Sequence, residues 1–385
     1  MKKILAITSI RSDYDLMSPL YDILKNKFNL SLLVCGAHLS KKYGYSVDLI
    51  KKDGHKILVE LESLIDSDSK KSRIKSASIM LQNSIDIINE YAPNLIMYAG
   101  DREDNIVGAL IGSYLQIPTA HFYGGDHVQD GHVDNPIRHA VSKLSTYHFV
   151  SNELHFKRLI RIGESPERIH KIGAIQLDKI HSHIKKDKSE LLKELKIEKD
   201  FDDFCLVIFH PLDKEIKQTS KIFRNILSSL EQNKIKAFVN FPNSDPSNHD
   251  IIEIIEKNIN NDNFYFFKNL PRDLFLSIYK NSIFQIGNSS SGILESASIP
   301  IPVINVGNRQ IGRAQSGNVI FCKTQMKDIS NAISLVTTSK FQNSMDGIKN
   351  IYGDGKSANR AMQVLQKLNF ENKLYKTEDP LDISI

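Results

Sequence analysis

The sequence predicts an α/β protein made of two successive doubly wound domains, in which helices cover both faces of a parallel sheet. Short apolar segments alternate with longer amphipathic segments along most of the chain, as in sheets with helical crossovers. The chain has 385 residues, more than one hydrophobic core ordinarily supports, so the alternation is divided between two domains. Polar residues directly follow several apolar segments, where ligands of such sheets bind.

The first domain is expected to span residues 1–180. Its apolar segments are interpreted as buried strands, and the segments between them have helical apolar spacing. The predicted strands are 2–8, 30–34, 94–100, 118–125 and 146–150. The predicted helices are 15–27, 73–91, 104–115 and 136–144. Residues 179–203 are charged and lysine-rich, which indicates an exposed connection with a surface helix.

The second domain is expected to span residues 181–356 and to repeat the alternation. Its predicted strands are 204–211, 236–242, 263–270, 282–287 and 301–307. Its predicted helices are 215–232, 247–259, 272–280 and 292–298. Residues 357–385 are expected to form an amphipathic helix and a tail that pack back toward the first domain.

Composition narrows the classes of function. The net charge is only +5 and the lysines are dispersed, so nothing favours a nucleic-acid partner. Cys35, Cys205 and Cys322 are far apart and fit no metal-ligand spacing. The N-terminus lacks the features of a signal peptide, and no apolar run approaches the ~20 residues of a membrane span. We therefore expect a cytoplasmic protein without a membrane partner.

The segment "IGNSSSGILES" predicts an anion site at the start of a helix. Ser289, Ser290 and Ser291 stand between a predicted strand and a predicted helix, whose first N–H groups attract a phosphate. Gly292 lets the backbone approach a ligand, and Glu295 could take two ribose hydroxyls. The alternative is that one serine caps the helix and the others are solvated.

Three further residues are predicted at the carboxyl ends of strands. Arg11 follows the first strand, in "SIRSDYD", where it could reach a ligand phosphate or remain a surface arginine. Asp101 follows the third, in "GDRED", where it could face the ligand or cap the next helix. His210, in "FHP", ends the first strand of the second domain and could be structural or catalytic.

Residues 120–143 form the densest polar stretch of the chain. Asp126, Asp130, Asp134 and Arg138 follow a predicted strand, and clustered carboxylates there suggest acid–base chemistry. A metal site is the competing interpretation, but the four histidines of this stretch have no recognisable ligand spacing. We predict that the protein binds no metal.

Taken together, "IRSDYD", "GDRED", "HFYGGD…DGHVDNPIRHAVSKL", "FHP", "FPNSD" and "IGNSSSGILES…VINVGNRQIGR" resemble the UDP-hydrolysing UDP-N-acetylglucosamine 2-epimerases of bacterial sialic and legionaminic acid biosynthesis. The resemblance runs from residue 2 to about residue 360. It implies a glycosyltransferase-B-type fold with the UDP-sugar in the cleft between two Rossmann-like domains. It also implies that UDP-N-acetylglucosamine and water become N-acetylmannosamine and UDP, without a cofactor.

The resemblance assigns roles to individual residues. Asp101, Asp126 and Asp134 match the family's catalytic acids, and His210 matches a histidine with a phosphate or acid–base role. The expected substrate-binding residues are Arg11, Ser289, Ser290, Ser291, Gly292, Glu295, Arg138 and Arg313. We also expect a homo-oligomer, either a dimer or a tetramer.

Two departures from the family pattern leave parts of this assignment open. Asp126 stands where many relatives have glutamate, and its spacing to Asp134 is one residue longer; Asn135 replaces a further acid. The base therefore remains to be chosen among Asp101, Asp126, Asp130 and Asp134, and UDP-N,N′-diacetylbacillosamine is an alternative substrate. A glycosyltransferase of the same fold and a non-hydrolysing epimerase are the alternative functions.

Overall fold

The structure is a computed structural model that describes residues 1–67, 69–129, 133–182, 186–197, 201, 203–211, 216–242, 248–268, 270–371 and 374–383. The described residues form two compact units. The first consists of residues 1–127, 131–179 and 352–385, and the second of residues 128–130 and 180–351.

The first unit contains a seven-stranded parallel sheet. Its strands are β1 (Lys3–Thr8), β2 (Asn29–Cys35), β3 (Ile57–Leu61), β4 (Leu95–Ala99), β5 (Thr119–Phe122), β6 (Tyr147–Val150) and β7 (Ile169–Lys171). They lie in the order β3-β2-β1-β4-β5-β6-β7. The helices are α1 (Arg11–Leu24), α2 (Val47–Lys52), α3 (Lys70–Tyr91), α4 (Glu103–Tyr114), α5 (Asp134–Leu144), α6 (Glu153–Arg161) and, from the end of the chain, α15 (Ser357–Lys367). Helix α7 (Gln176–Ser182) begins in the first unit and ends in the second.

The second unit contains a six-stranded parallel sheet. Its strands are β8 (Phe204–Ile208), β9 (Lys236–Asn240), β10 (Phe264–Phe267), β11 (Gln285–Gly287), β12 (Val303–Val306) and β13 (Val319–Cys322), in the order β10-β9-β8-β11-β12-β13. The helices are α8 (Lys188–Glu194), α9 (Ile216–Gln232), α10 (Asn248–Lys257), α11 (Arg272–Asn281), α12 (Ser291–Leu294), α13 (Met326–Val336) and α14 (Ser339–Asn343). The two parallel sheets confirm the predicted fold class.

Burial on both faces of each sheet explains why the central strands are mostly apolar. In β1, Ile4 and Ala6 face a core that includes Tyr14 and Met17 of α1. Residues alternate between the two faces of a strand, so the intervening Leu5 and Ile7 join the core on the opposite face. Because both sets are buried, a central parallel strand has no solvent face that would place polar residues in its sequence.

The strands that sequence patterning missed are β3, β7 and β13, and each lies at the edge of its sheet. All four residues of β13 are half-buried, and β3 is half-buried over most of its length. β3 (ILVEL) and β13 (VIFC) are nevertheless apolar runs, whereas β7 (IHK) is short and mostly polar and carries no such signal. Sequence patterning also missed helices α6 and α13, although both have a buried face.

Several predicted helices differ from the structure in their boundaries, and two of them differ most. Helix α1 begins at Arg11, four residues before the predicted start, because its first three residues, Arg11, Ser12 and Asp13, are polar and carry no apolar signal. The helix predicted at 292–298 is in fact the four-residue α12 followed by a separate 3₁₀ turn, Ser296–Ser298. The Ser296 hydroxyl donates a 2.6 Å hydrogen bond to the carbonyl of Gly292 within this broken segment.

The C-terminal segment of the chain is part of the first unit. On α15, Ala358, Ala361, Met362 and Leu365 lie in the same core as α1. The tail that follows is held by the buried guanidinium group of Arg168. Its Nη2 donates a 2.9 Å hydrogen bond to the carbonyl of Tyr375, and its Nε forms a 2.9 Å ion pair with Glu378.

A second anchor of the tail is a buried carboxylate. Glu164, only 1% exposed, lies 2.6 Å from Lys376 Nζ, 2.8 Å from Lys143 Nζ and 2.7 Å from His148 Nε2. Burial alone would raise the pKa of Glu164, but its hydrogen bond with His148 and the adjacent positive charges hold that pKa down, at about 2. Glu164 is therefore ionised at neutral pH and offsets the charge of two lysines.

We expect Glu164→Gln to lower the local free energy of unfolding by about 3–5 kcal/mol, because it removes a buried charge and leaves the Lys376 ammonium, only 24% exposed, without its counter-charge. The measurement is hydrogen exchange of the β6 amides at pH 7, which reports the stability of this region directly. The matched control is Glu153→Gln, whose 2.6 Å pair with Lys171 is exposed and should be worth less than about 1 kcal/mol. Equal effects of the two substitutions would contradict the assignment.

Candidate active site

The buried Arg138 guanidinium lies between two of the predicted catalytic acids. Asp101 follows β4 and Asp126 follows β5, and these strands are paired in parallel, so both carboxylates lie at the same edge of the sheet. Arg138 Nη1 lies 2.9 Å from Asp126 Oδ2, and Nη2 contacts Asp101 Oδ2 directly. The arginine offsets the repulsion that would otherwise separate the two acids.

Asp101 does not cap the following helix. The residue at the N-cap of α4 is Arg102, which makes no side-chain capping hydrogen bond, and the Asp101 carboxylate is committed to Arg138. Of the two interpretations that the sequence left open, the helix-cap interpretation is therefore wrong.

Asp126 is buried among several polar partners. Its Oδ1 accepts a 2.9 Å hydrogen bond from the backbone N–H of His127 and lies 3.3 Å from His155 Nε2. Burial lowers the pKa of His155, although the negative charge of Asp126 partly opposes this shift. His155 is thus a neutral imidazole beside a candidate catalytic carboxylate, a pairing that the sequence did not reveal because α6 was not predicted.

Asp134 is the first residue of α5, where a carboxylate interacts favourably with the helix dipole. It lies 3.5 Å from Arg73 Nη2, and the same guanidinium group donates a 2.7 Å hydrogen bond to Glu103. Arg73, on α3, is a further residue that the sequence did not single out. Asp130 lies outside the described residues.

Two additional carboxylates belong to the strand-end region of the first unit. Asp13 is on α1, after β1, and Asp104 is on α4, after β4. Burial, and then the neighbouring charge of Asp104, raises the pKa of Asp13 well above its ordinary value, and burial also raises the pKa of Asp104. Both acids are therefore candidates for proton carriers.

Arg11 occupies the first position of α1, directly after the end of β1. Its side chain is 60% exposed and lies 3.6 Å from Asp15 in an i,i+4 ion pair. An exposed pair of this kind contributes little to stability, so the guanidinium keeps most of its capacity to bind an anion.

The serine segment of the second unit is a compact turn whose polar groups bond to one another. The N-cap of α12 is Ser290, which makes no side-chain capping hydrogen bond. Ser289 Oγ accepts hydrogen bonds from the N–H and hydroxyl of Ser291, at 3.3 and 3.0 Å. The turn packs closely on the sheet, because a Cβ at Gly292 would lie 2.9 Å from Val303 Cγ1. With α12 only four residues long, its dipole contributes less than the predicted helix would have.

Asn288 fixes His210 beside this turn. The Asn288 amide accepts a 2.8 Å hydrogen bond from the His210 backbone N–H and donates one of 2.8 Å to the His210 carbonyl. Burial, and then the charge of Arg309, lowers the pKa of His210 to about 3, so its imidazole is neutral at physiological pH. Asn288 is adjacent to the serines in sequence, but only the fold shows that it holds His210.

The remaining predicted binding residues also lie in the second unit. Glu295 Oε2 accepts a 3.0 Å hydrogen bond from Arg272, and its side chain is 14% exposed. Arg313 Nη1 donates a 2.9 Å hydrogen bond to Gln310. Their contacts with a ligand stay predictions, as does the cleft expected to join the acids to the serine turn.

Among the described residues, no group of three or more histidine, cysteine, aspartate or glutamate side chains is arranged to hold a metal ion. In the same part of the chain, every helix is too short or too polar to cross a membrane.

Comparison with known proteins places these features in a family. Residues 23–366 match the UDP-N-acetylglucosamine 2-epimerase family. The UDP-N,N′-diacetylbacillosamine 2-epimerase (hydrolyzing) of Legionella pneumophila is 32% identical over 97% of this chain and 98% of its own. The polysialic acid biosynthesis protein P7 of Escherichia coli is 28% identical over 98% of this chain and 97% of its own.

A solved structure supports the fold assignment. The UDP-GlcNAc 2-epimerase of Neisseria meningitidis, solved with UDP-GlcNAc bound, superposes with a TM-score of 0.79 at 16% identity, over 95% of this chain and 100% of its own. The match over residues 23–366, together with the identity shared with the Legionella relative, shows that this chain belongs to the UDP-N-acetylglucosamine 2-epimerase family.

Proposed function

We propose that this protein is a hydrolysing 2-epimerase, which converts a UDP-2-acetamido sugar and water into the free 2-epimeric sugar and UDP. The observation that carries the proposal is the pair of carboxylates, Asp101 and Asp126, held by one buried arginine at the ends of adjacent strands. Inversion at C2 requires a base to remove a proton and an acid to return one, so two fixed acids suit it. The name of the Legionella relative supports the hydrolysing reaction.

The proposed reaction has two stages. In the first, a carboxylate removes the C2 proton while the bond from C1 to the UDP oxygen breaks, which leaves a 2-acetamidoglucal and UDP. In the second, water adds its oxygen to C1 and a proton returns to C2 on the opposite face. Asp101 is the proposed base because it directly follows a buried strand, and Asp126 and Asp134 are proposed to serve the other proton transfers.

The second unit is proposed to bind the leaving group. Negative charge accumulates on UDP as it departs, and positive or hydrogen-bonding groups stabilise it. We assign this role to the hydroxyls and backbone of Ser289, Ser290 and Ser291, with Glu295 on the ribose. Arg11, Arg138, Arg313 and the neutral His210 are proposed to contribute contacts with the substrate.

The sugar is proposed to be UDP-N,N′-diacetylbacillosamine or UDP-N-acetylglucosamine. The name of the Legionella relative favours the 2,4-diacetamido sugar. The name of the Escherichia coli relative supports a place in the biosynthesis of sialic-type sugars. Asp126 stands where glutamate is usual, and its side chain is shorter by one methylene. This difference fits a change in the sugar that the site binds.

The first test is incubation with each UDP-sugar in D₂O, without acceptor, followed by NMR. We expect free UDP and a free 2-epimeric sugar carrying deuterium at C2, and we expect the rate to survive EDTA. A product that retains UDP would indicate a non-hydrolysing epimerase. Turnover that requires a sugar acceptor, or that EDTA abolishes and Mg²⁺ or Mn²⁺ restores, would indicate a glycosyltransferase.

The second test concerns the base. Asp101→Asn should lower kcat by about 10²–10⁴-fold, since it removes a general base, while the dissociation constant for UDP stays within about twofold. The matched control is Asp22→Asn, which removes an exposed aspartate of the same unit, paired with Lys25 at 2.8 Å, and should leave kcat unchanged. A near-normal kcat in Asp101→Asn would exclude Asp101 from the chemistry.

The third test concerns the nucleotide. Ser290→Ala and Glu295→Ala should each weaken UDP binding by about 1–2 kcal/mol, because each removes a hydrogen bond that involves a charged group. Isothermal titration of UDP measures the change. Ser344→Ala is the control, since its hydroxyl bonds only locally, at 2.7 Å, to the Phe341 carbonyl. Unchanged UDP affinity in both test variants would refute the assignment.

A further inference from the structure

His121 is a fully buried residue of β5 that none of the proposed chemistry uses. Its Nε2 lies 2.8 Å from the carbonyl oxygen of Gly100, the residue immediately before Asp101. Its Nδ1 lies 3.0 Å from the hydroxyl of Ser142 on α5, one turn beyond Arg138. The imidazole therefore joins the loop that carries one acid to the helix that carries the arginine.

The chemistry of the two hydrogen-bond partners determines which nitrogen of the His121 ring carries the proton. A carbonyl oxygen can only accept, so Nε2 carries the hydrogen and donates to Gly100, and Nδ1 accepts from the Ser142 hydroxyl. Burial lowers the pKa of His121 to about 3, which keeps the ring neutral and the tautomer constant across physiological pH. In a protonated ring Nδ1 would become a donor to Ser142, so the low pKa keeps the direction of this hydrogen bond constant.

The segment that carries the second acid contacts the same pair. A Cβ at Gly124 would lie 3.0 Å from Ser142 Oγ and 3.1 Å from His121 Nδ1, so the backbone at this position lies directly against both groups. Gly124 precedes Asp126 by two residues. The His121–Ser142 pair thus contacts the segments that carry Asp101, Asp126 and Arg138.

We propose that His121 is a positioning residue, which sets the separation of Asp101, Arg138 and Asp126 through its hydrogen bonds to Gly100 and Ser142. The reactive groups themselves are on loops and on the surface of a helix, where a displacement of 1 Å can cost about 10²-fold in rate. This proposal extends the proposed function, and its kinetic readout rests on that function.

The test compares two amide variants of His121. Each variant keeps one of the two hydrogen bonds that His121 makes, either that to Gly100 or that to Ser142. In His121→Gln the amide nitrogen takes the place of Nε2 and can still donate to Gly100, whereas in His121→Asn the amide oxygen replaces Nδ1 and only the Ser142 link remains. We expect His121→Asn to lower kcat by about 10²-fold and His121→Gln by less than about 10-fold, with KM and UDP affinity unchanged in both. The control is Tyr98→Phe, which removes a buried 2.7 Å hydrogen bond with Ser145 in the same region without touching Gly100 or Ser142.

A purely structural role would give a different outcome. His121→Asn, His121→Gln and Tyr98→Phe would then lower the melting temperature, while kcat per folded molecule stayed equal to that of the wild type. That result, or equal losses of kcat in the two amide variants, would overturn the proposal.

An NMR measurement separates this proposal from the proposed function. In ¹⁵N-histidine-labelled protein, His121 should remain in the neutral Nε2–H form from pH 5 to 8. The ¹⁵N guanidinium resonances of Arg138, identified through Arg138→Lys, should shift in His121→Asn but not in Tyr98→Phe. A wild type that releases no UDP from either sugar could still meet both NMR expectations. In that case the proposed function is wrong, but the positioning role of His121 is supported. An Arg138 resonance unmoved in His121→Asn would overturn the positioning role irrespective of activity.

Discussion

The ion pairs of Arg138 with Asp101 and Asp126 are the interaction around which the first unit is organised. Parallel strands bring their carboxyl ends to one edge of the sheet, so the polar residues that follow β4 and β5 must share a small volume. The half-buried Asp101 and the buried Asp126 repel each other, and a cation between them offsets that repulsion. Helix α5 supplies that cation, and its far end is fixed in turn: Lys376 from the C-terminal tail donates to the carbonyls of Ser142 and Lys143. The tail is thus connected, through one helix, to the proposed catalytic acids.

Neutral histidines recur as fixed hydrogen-bonding groups in this protein. Besides His121, burial lowers the pKa of His38 and of His148 to about 4. His38 bonds to Thr8 at the end of β1 at 2.9 Å, and His148 bonds to Glu164 at 2.7 Å. A buried imidazole can donate through one nitrogen and accept through the other, so it can link two backbone segments with a single side chain. Because these histidines would have to be protonated on unfolding in acid, the folded state loses stability as pH falls below about 6.5, the ordinary pKa of histidine.

The second unit reaches a similar result with neutral groups. Asn288 holds His210 by two backbone hydrogen bonds, and Gln310 donates to the Asn288 carbonyl at 2.9 Å. Tyr279 and Gln285 bond to each other and to Ser291, so the serine turn rests on a buried polar framework. Apart from Arg309, which donates to the same Asn288 carbonyl at 3.3 Å, this framework consists of neutral hydroxyls and amides.

The sequence by itself determined the fold class, the central strands and the family, because these depend on local patterns. Burial on both faces produces continuous apolar runs in the cores of β1, β4 and β8. The polar segments directly after β4, β8 and β11 carry Asp101, His210 and the serines. The features that have no local signal in the sequence were determined by the tertiary structure alone. The short edge strand β7 (IHK) has no apolar run, and the helix expected at 292–298 is a four-residue helix followed by a separate 3₁₀ turn. The same holds for residues whose partners are distant in sequence, namely Arg138, Arg73, His155 and Asn288. Hydrogen bonds and ion pairs between elements depend on packing geometry, and spacing along the chain does not reveal that geometry.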